Sequence, residues 1–218
     1  MQISLPDDIV IEMGRAMLNE IAKKIKQYES ARWDIFPEFD LYMEQLLGCA
    51  GAPLELDDSK LAGSGDGSAE GNRFEITAHR VNNYVKKGYL PRPENRRYSR
   101  EHLARLYVLR MTKGALPLSL LSEAIERLSG ALSMRAVSER FAEINDDVLQ
   151  RVAGVLEATT VFGKESETDL DYFALTLAAE ANVLSLVSET ILARNGYSVN
   201  QADSSNDDSA TDSSSSGR

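Results

Sequence analysis

The side chains with the clearest capacity for chemistry lie in one basic stretch, from Arg73 to Lys113. It holds eleven Lys and Arg residues and three acidic ones, whereas the whole 218-residue chain has a formal net charge of −10. Ammonium and guanidinium groups bind phosphate, and a local surplus of them produces a positive field that attracts a polyanion. Salt screens the interaction between exposed charges that are more than about 10 Å apart. A ligand near this patch therefore responds more to the local positive charge than to the net negative charge of the whole chain. The stretch therefore predicts a surface that binds double-stranded DNA.

The candidate DNA-binding residues divide into base readers and phosphate binders. Arg80 and Asn83 are the best candidates for base edges, because Arg can pair with guanine and Asn with adenine through two hydrogen bonds. His79 and Asn82 are weaker candidates. Phosphate contacts give position and salt dependence but carry no sequence information. The cations expected to make them are Lys86, Lys87, Arg92, Arg96 and Arg97.

Local signals place these side chains on a short helix, a basic wing and a second helix. Thr77 is a suitable N-cap for a helix over residues 78–87, and Gly88 can end it with a positive φ. Prolines impose an extended backbone on the wing, residues 91–98. Ser99 can then cap a longer helix. The order predicts a mainly α fold that contains a winged helix-turn-helix.

Three short segments resemble the bacterial family catalogued as domain of unknown function (DUF) 1836. They are Leu-Tyr-Met-Glu-Gln at 41–45, Asn-Asn-Tyr-Val-Lys at 82–86 and Arg-Tyr-Ser-Arg-Glu-His-Leu at 97–103. Residues 81–91 also fall in register with a pattern of the MerR regulators, Ile-Arg-Tyr-Tyr-Glu-x-x-Gly-Leu-Leu-Pro. The resemblance implies a MerR-like DNA-binding fold and brings little assigned biochemistry.

Composition shifts divide the chain into four regions. An N-terminal amphipathic helix and an aromatic connector occupy residues 1–39, and the MerR-like domain occupies 40–130, with its first helix at 41–49 capped by Asp40. A flexible Gly/Ser-rich insertion is expected at 51–72, because it has too little apolar surface to fix a conformation. The insertion leaves open whether the helix at 41–49 packs on the helix at 78–87. C-terminal helices fill 131–197, and a disordered Ser/Asp-rich tail follows at 198–218.

The apolar spacing predicts which face of each flanking helix is buried. The stripe expected inside the N-terminal helix is Val10, Met13, Met17, Ile21, Ile25 and Tyr28. The stripe expected inside a helix over residues 133–160 is Val137, Phe141, Ile144, Val148, Val152 and Val155. A last helix, Leu170–Asn195, is apolar nearly all round, which predicts burial in its own core or against a second copy. MerR-like regulators dimerise through C-terminal helices, so the resemblance implies a possible homodimer.

No residue pattern predicts an enzyme, a metal site or a cofactor. His79, His102 and Cys49 have no metal-ligand spacing, and His102 is expected to pack or to cap a helix. The glycines at 63–67 lack the preceding strand and the following Lys-Ser/Thr of a phosphate-binding loop. A single cysteine favours a reducing compartment, and neither a signal peptide nor an uninterrupted apolar run of about 18 residues is apparent. We expect a cytoplasmic protein with no membrane partner.

A non-enzymatic protein-interaction module that retains a winged-helix scaffold is the alternative. In that case the basic patch would face an acidic partner, or the acidic remainder of the chain. The two hypotheses differ in where the charge lies. Cations that project from one face favour DNA, whereas cations held in internal salt bridges favour a scaffold.

Overall fold

Seven α-helices and a 3-10 turn (Trp33–Ile35) make up the described part of the chain, residues 7–50, 76–158 and 168–197 of a computed structural model. Two isolated β-bridges are present there, and no strand. The predicted mainly α class is confirmed, while the insertion at 51–72 and the tail at 198–218 lie outside the described residues. The helices are α1 (Asp7–Gln27), α2 (Met43–Cys49), α3 (Ala78–Lys86), α4 (Arg100–Thr112), α5 (Leu118–Ala131), α6 (Met134–Ala158) and α7 (Thr168–Arg194).

Helix α4 is the centre of the main core. Every residue from Leu103 to Arg110 is buried, because the helix is enclosed by α5, the first half of α6, the wing and the aromatic connector. Tyr107 is 1% exposed, and its ring lies 6.1 Å from those of both Phe36 and Phe141. A helix in this position needs apolar residues on all sides, and the Leu-Ala-Arg-Leu-Tyr-Val-Leu sequence at 103–109 provides them except at Arg105.

Helix α2 packs on α3, which answers the question left open by the insertion. Leu46 of α2 and Val81 of α3 are both 0% exposed and belong to one hydrophobic cluster. The predicted start of α2 was wrong, because Leu41 is not helical. Its N–H and carbonyl form two 2.8 Å hydrogen bonds with the backbone of Tyr98 in the wing. The helix therefore begins after Tyr42, whose N–H donates to the side chain of Gln45, and Asp40 is not its cap.

A second, smaller core joins α1 to the latter half of α6. Leu18, Ala22 and Ile25 pack there against Ala153 and Leu156. The predicted stripe on α1 was therefore wrong at Met17, which is 45% exposed. The buried face includes Leu18 and Ala22 instead, where Ala153 and Leu156 of α6 pack.

Polar side chains fix the connector that runs from α1 to the main core. Asp146 Oδ1 accepts the N–H of Ser30 at 3.1 Å, and Glu139 Oε1 accepts the N–H of Trp33 at 2.8 Å. These α6 carboxylates satisfy backbone groups that the connector itself leaves without helical partners. They thereby hold the connector against α6, whose two halves belong to the two cores.

The predicted inner faces of the C-terminal helices were wrong in part. Val137 of α6 is buried and Phe141 is half-buried, but four later members of that stripe are 37–52% exposed: Ile144, Val148, Val152 and Val155. In this half of α6 the buried face has rotated toward α1. The last helix is not buried in its own core either, since no residue from Leu170 to Arg194 falls below the intermediate range of exposure.

Candidate nucleic-acid interface

Helix α3 is held at both ends by the residues that sequence reasoning selected. The Thr77 hydroxyl oxygen accepts the N–H of Arg80 at 3.3 Å, which satisfies an orphan donor of the first turn. Gly88 follows the helix with a φ of +78°, a conformation that costs glycine little. The chain then reverses so that Tyr89 N–H donates to the Tyr84 carbonyl at 2.8 Å. These contacts confirm the predicted cap and stop.

One face of α3 is buried and the opposite face presents polar side chains. Val81 and Tyr84 are 0% and 4% exposed on the inner face. The outward side chains recur at intervals of three and four residues, so they share one face of the helix. They are His79, Asn82, Asn83 and Lys86.

The order of exposure along α3 differs from the order of preference that the sequence suggested. His79, Asn82 and Lys86 are exposed, whereas Asn83 and Arg80 are half-buried. Arg80 lies at the side of the outward face rather than at its centre. The two residues ranked as weaker candidates are therefore more accessible than the two ranked first.

The wing is a tight turn that presents three arginines. A β-bridge joins Glu94 to Arg97, and the Arg97 N–H donates to the Glu94 carbonyl at 2.8 Å. The two residues between them, Asn95 and Arg96, have φ values of +50° and +63°. A two-residue turn with both φ values positive matches the twist of a hairpin. Arg92, Arg96 and Arg97 are all exposed on it.

The base of the wing is anchored to α2 and to the start of α4. Tyr98 is 4% exposed and pairs with Leu41 through the two backbone bonds described above. The Arg97 guanidinium donates to the Tyr42 hydroxyl at 3.0 Å and lies 4.9 Å from the centre of that ring. The base of the wing is thus tied to the residues that precede α2, and buried residues of the wing, α2 and α3 share one hydrophobic cluster.

His102 closes the first turn of α4, as its expected capping role predicts. Its Nδ1 accepts the Ser99 N–H at 3.1 Å, and the Ser99 hydroxyl lies 2.8 Å from the same nitrogen. Its ring meets the Tyr98 ring edge-on at 5.6 Å. Burial lowers the pKa of His102 below its ordinary value, because the charged imidazolium is poorly solvated there.

The exposed positive charge is smaller than the sequence count suggested. Arg105 and Arg110 are 6% and 2% exposed, and Arg100 pairs with Glu38 at 3.5 Å. By contrast, none of the ion pairs found among the described residues involves Lys86, Arg92 or Arg96. Within the described part of the basic stretch, Lys86, Arg92 and Arg96 are therefore exposed cations that none of these ion pairs neutralises.

Arg105 is a structural residue that sequence reasoning placed only within the basic stretch. Its Nε donates to the Tyr89 carbonyl at 2.9 Å, and its Nη1 lies 2.6 Å from a Glu126 carboxylate oxygen. Its Nη2 donates to the Ser122 carbonyl at 3.2 Å. The guanidinium therefore ties the turn after α3 to α5. The sign of this structural role in the sequence is that Arg105 interrupts an otherwise apolar run of α4.

A cleft of about 300 Å³ lies beside this network, and its lining mixes cationic, acidic and hydroxyl side chains. The lining residues are Lys87, Gly88, Tyr89, Arg105, Ser119, Ser122, Glu123 and Glu126. In residues 7–50, 76–158 and 168–197, no cluster of three His, Cys, Asp or Glu side chains could hold a metal ion. The cleft is open and its charges are balanced, so it offers no preference for one ligand class.

Comparison with known proteins gives one match. A family-level sequence model described as Domain of unknown function (DUF1836) matches residues 31–146. The match runs from the aromatic connector to the middle of α6 and includes α2, α3, the wing and α4. No curated protein and no solved structure matches the chain.

Proposed function

The chain belongs to the DUF1836 family, and from the surface that this matched region builds we propose that it is a DNA-binding transcriptional regulator of MerR-like winged helix-turn-helix type. One observation carries the proposal. The outward face of α3 and the exposed arginines of the wing lie on elements that share one hydrophobic core. Among the described residues, Lys86, Arg92 and Arg96 take part in none of the ion pairs.

The arrangement of elements supports a helix-turn-helix assignment. Helix α2 packs on α3, the wing follows α3 directly, and buried residues of α2, α3, the wing and α4 share one hydrophobic cluster. We infer that α3 enters the major groove, whose width of about 12 Å admits one helix. The wing would then lie against the neighbouring backbone, where Arg92, Arg96 and Arg97 meet phosphates.

Side-chain chemistry assigns the contacts along α3. Asn83, and Asn82 beside it, would pair with adenine, and Arg80 would reach a guanine from the side of the helix. His79 and Lys86 stand at the two ends of the outward face, and Lys86 with Lys87 would bind phosphate. In this assignment the bases are read mainly by amides and the affinity comes mainly from cations.

Selection of bound sequences from a random double-stranded DNA pool tests the proposal, with Lys86→Glu as the disrupted variant. Arg151→Glu is the matched control, because Arg151 is an exposed cation on the half of α6 that packs on α1. We expect a common motif with the unaltered protein and with Arg151→Glu, and weak, unselective binding with Lys86→Glu. No motif, or equal enrichment by both variants, would reject the assignment of α3.

The second candidate function is a protein-interaction module on the same scaffold. Three exposed apolar side chains between residues 35 and 42 favour it: Ile35 at 70%, Phe39 at 65% and Tyr42 at 52%. A large exposed apolar group more often marks a protein contact than a phosphate contact. If the pool gives no motif, affinity capture with Phe39→Ser as the comparison would test this candidate.

A DNA-binding regulator works where the chromosome is, so the proposal includes a cytoplasmic location. Cell fractionation followed by immunodetection tests this point. Recovery of the chain with membranes after a high-salt wash would contradict it.

A further inference from the structure

The residues that follow α7 are acidic, whereas α3 and the wing present cations. The acidic segment, residues 198–212, holds four aspartates and neither lysine nor arginine. It lies outside the described part of the chain, whose last range ends at Tyr197. A segment with repeated carboxylates is attracted to the same positive field that attracts a polyanion. The aspartates are Asp203, Asp207, Asp208 and Asp212.

The end of α7 is held against α5. The Arg127 guanidinium donates to the Asn195 carbonyl at 2.9 Å and lies 4.4 Å from the ring centre of Tyr197. Near the middle of α7, the Ser185 hydroxyl donates to the Ala115 carbonyl. The acidic segment therefore leaves the folded body beside α5.

The same part of α5 is connected to the turn that follows α3. Glu126, which precedes Arg127, lies 2.6 Å from Arg105, and the Arg105 Nε donates to the Tyr89 carbonyl at 2.9 Å. This series of side chains limits the distance from the start of the acidic segment to the turn after α3 to at most about 40 Å. Fully extended, residues 198–212 span about 50 Å, so the later aspartates can reach α3 and the wing.

The cations of α3 and the wing differ from several other exposed cations in having no carboxylate partner among the described residues. Lys86, Arg92 and Arg96 take part in none of the ion pairs found there. An acidic segment gains most where the positive charge is not already neutralised, so these three cations are its best partners. Cations elsewhere that already have a partner occur in the pairs Lys26–Glu157, Arg135–Asp34 and Arg140–Glu143.

The placement of α7 keeps the acidic segment on the same side of any membrane as α3 and the wing. Residues Leu170–Arg194 are long and apolar enough to cross a membrane by length and composition. Isolated polar residues interrupt them, so the lack of an uninterrupted apolar run did not exclude such a segment. However, Glu180 and Glu189 would be costly in lipid, and the contacts with Ala115 and Arg127 hold α7 along the body.

We propose that the acidic segment docks on Lys86, Arg92 and Arg96 of the same chain, and that DNA must displace it in order to bind. The docking itself needs no DNA, whereas its regulatory effect rests on the proposed function. Covalent attachment keeps the carboxylates at a high local concentration near these cations. Because carboxylates and phosphates compete for the same groups, the segment lowers the affinity for every DNA sequence by the same factor and leaves the selected motif unchanged.

Paramagnetic relaxation enhancement in the free protein tests the docking. A nitroxide on Ser205→Cys in a Cys49→Ser background should broaden the amide signals of Lys86 and Arg96 more than that of Arg151. The preference should disappear at about 0.5 M salt, where the Debye length is only a few ångström. Equal broadening at the three positions, or no broadening in α3 and the wing, would overturn the docking.

Two variants that each remove two negative charges test the effect on DNA. D207N/D208N neutralises part of the acidic segment, whereas D171N/E180Q neutralises exposed residues of α7 and is the matched control for net charge. Exposed ion pairs are individually weak, so at about 50 mM salt D207N/D208N should raise the affinity for a mixed-sequence DNA duplex about 3-fold in fluorescence anisotropy, and the control should change it less than about 1.5-fold.

The difference between the two variants should vanish at about 300 mM salt. Equal effects of both variants at low salt would overturn the competition between the acidic segment and DNA. If no form of the chain binds the duplex, the proposed function fails, and the relaxation measurement alone decides the docking.

Discussion

Replacing Arg96 by glycine is expected to stabilise the fold while it weakens DNA binding. Arg96 has a φ of +63° in the turn of the wing. The left-handed conformation raises the free energy of a residue with a Cβ by roughly 1–2 kcal/mol, because the Cβ approaches the backbone too closely, and glycine avoids this cost. Glycine gains about 0.5–1 kcal/mol of freedom in the unfolded chain, which offsets part of that relief. The net expected gain in the free energy of unfolding is about 0.5 kcal/mol.

The strain at Arg96 should be visible in global unfolding because the wing belongs to the main core. Tyr98, two residues further on, is buried and bonded to Leu41, so the turn is formed only when α2, α3 and α4 are in place. Urea unfolding monitored by circular dichroism measures the effect, and a gain of this size corresponds to roughly 1–2 °C in Tm.

Arg96→Ala is the control that separates backbone strain from the lost guanidinium. Both variants remove the cation, so both should lose the same DNA affinity and lower the salt slope of binding by about 0.9. Only the glycine variant relieves the strain, so after the same offset it should be more stable than the alanine variant by about 0.5 kcal/mol. A glycine variant no more stable than the alanine variant would refute the left-handed turn, whatever the DNA result.

The remaining predictions concern the DNA contacts, the buried arginine and pH. Arg92→Ala should lower the salt slope by about 0.9 and leave the selected motif unchanged, whereas Asn83→Ala should cost about 1–3 kcal/mol at one base position. Salt titrations on matched and mismatched DNA distinguish these results, and an altered motif with Arg92→Ala would contradict the first. Arg105→Met leaves buried carbonyls unsatisfied and should cost about 2 kcal/mol in urea unfolding, whereas Glu126→Gln should cost under about 1 kcal/mol because Glu126 is 70% exposed. Equal losses would show that the ion pair, not the carbonyl contacts, matters. The pKa of His102 is lowered in the folded state, so its stabilising contribution is present above about pH 6.5 and falls as the pH drops below that value. Unfolding at pH 7 and pH 5 should show a drop that His102→Gln reduces, and an identical drop in both proteins would contradict this.

Several local features of the site could be predicted because they depend on neighbouring residues only. The Thr77 cap, the Gly88 stop and the His102 contact that begins α4 each involve groups within about four residues. Side-chain chemistry at that range is nearly independent of the rest of the fold. The family resemblance was likewise carried by short segments, and the match over residues 31–146 confirms it.

The errors arose where burial depends on elements distant in the chain. Leu41 was expected to begin α2, but a partner 57 residues later takes its backbone bonds. Met17 was expected inside, but α6 packs against Leu18 and Ala22 instead. Periodicity shows that a helix has an apolar face, yet not which part of that face a neighbour covers.

By itself, the sequence determined the helical class, the family and the residue types that could meet DNA. Only the tertiary structure decided which cations are accessible: it buried Arg105 and Arg110, paired Arg100 with Glu38, and left Lys86 and the wing arginines on the surface. It also showed that no residue from Leu170 to Arg194 of α7 is fully buried by the other described residues. The physical reason is one of range. Capping, backbone preference and charge type act over a few residues, whereas desolvation depends on which surfaces meet when the whole chain packs.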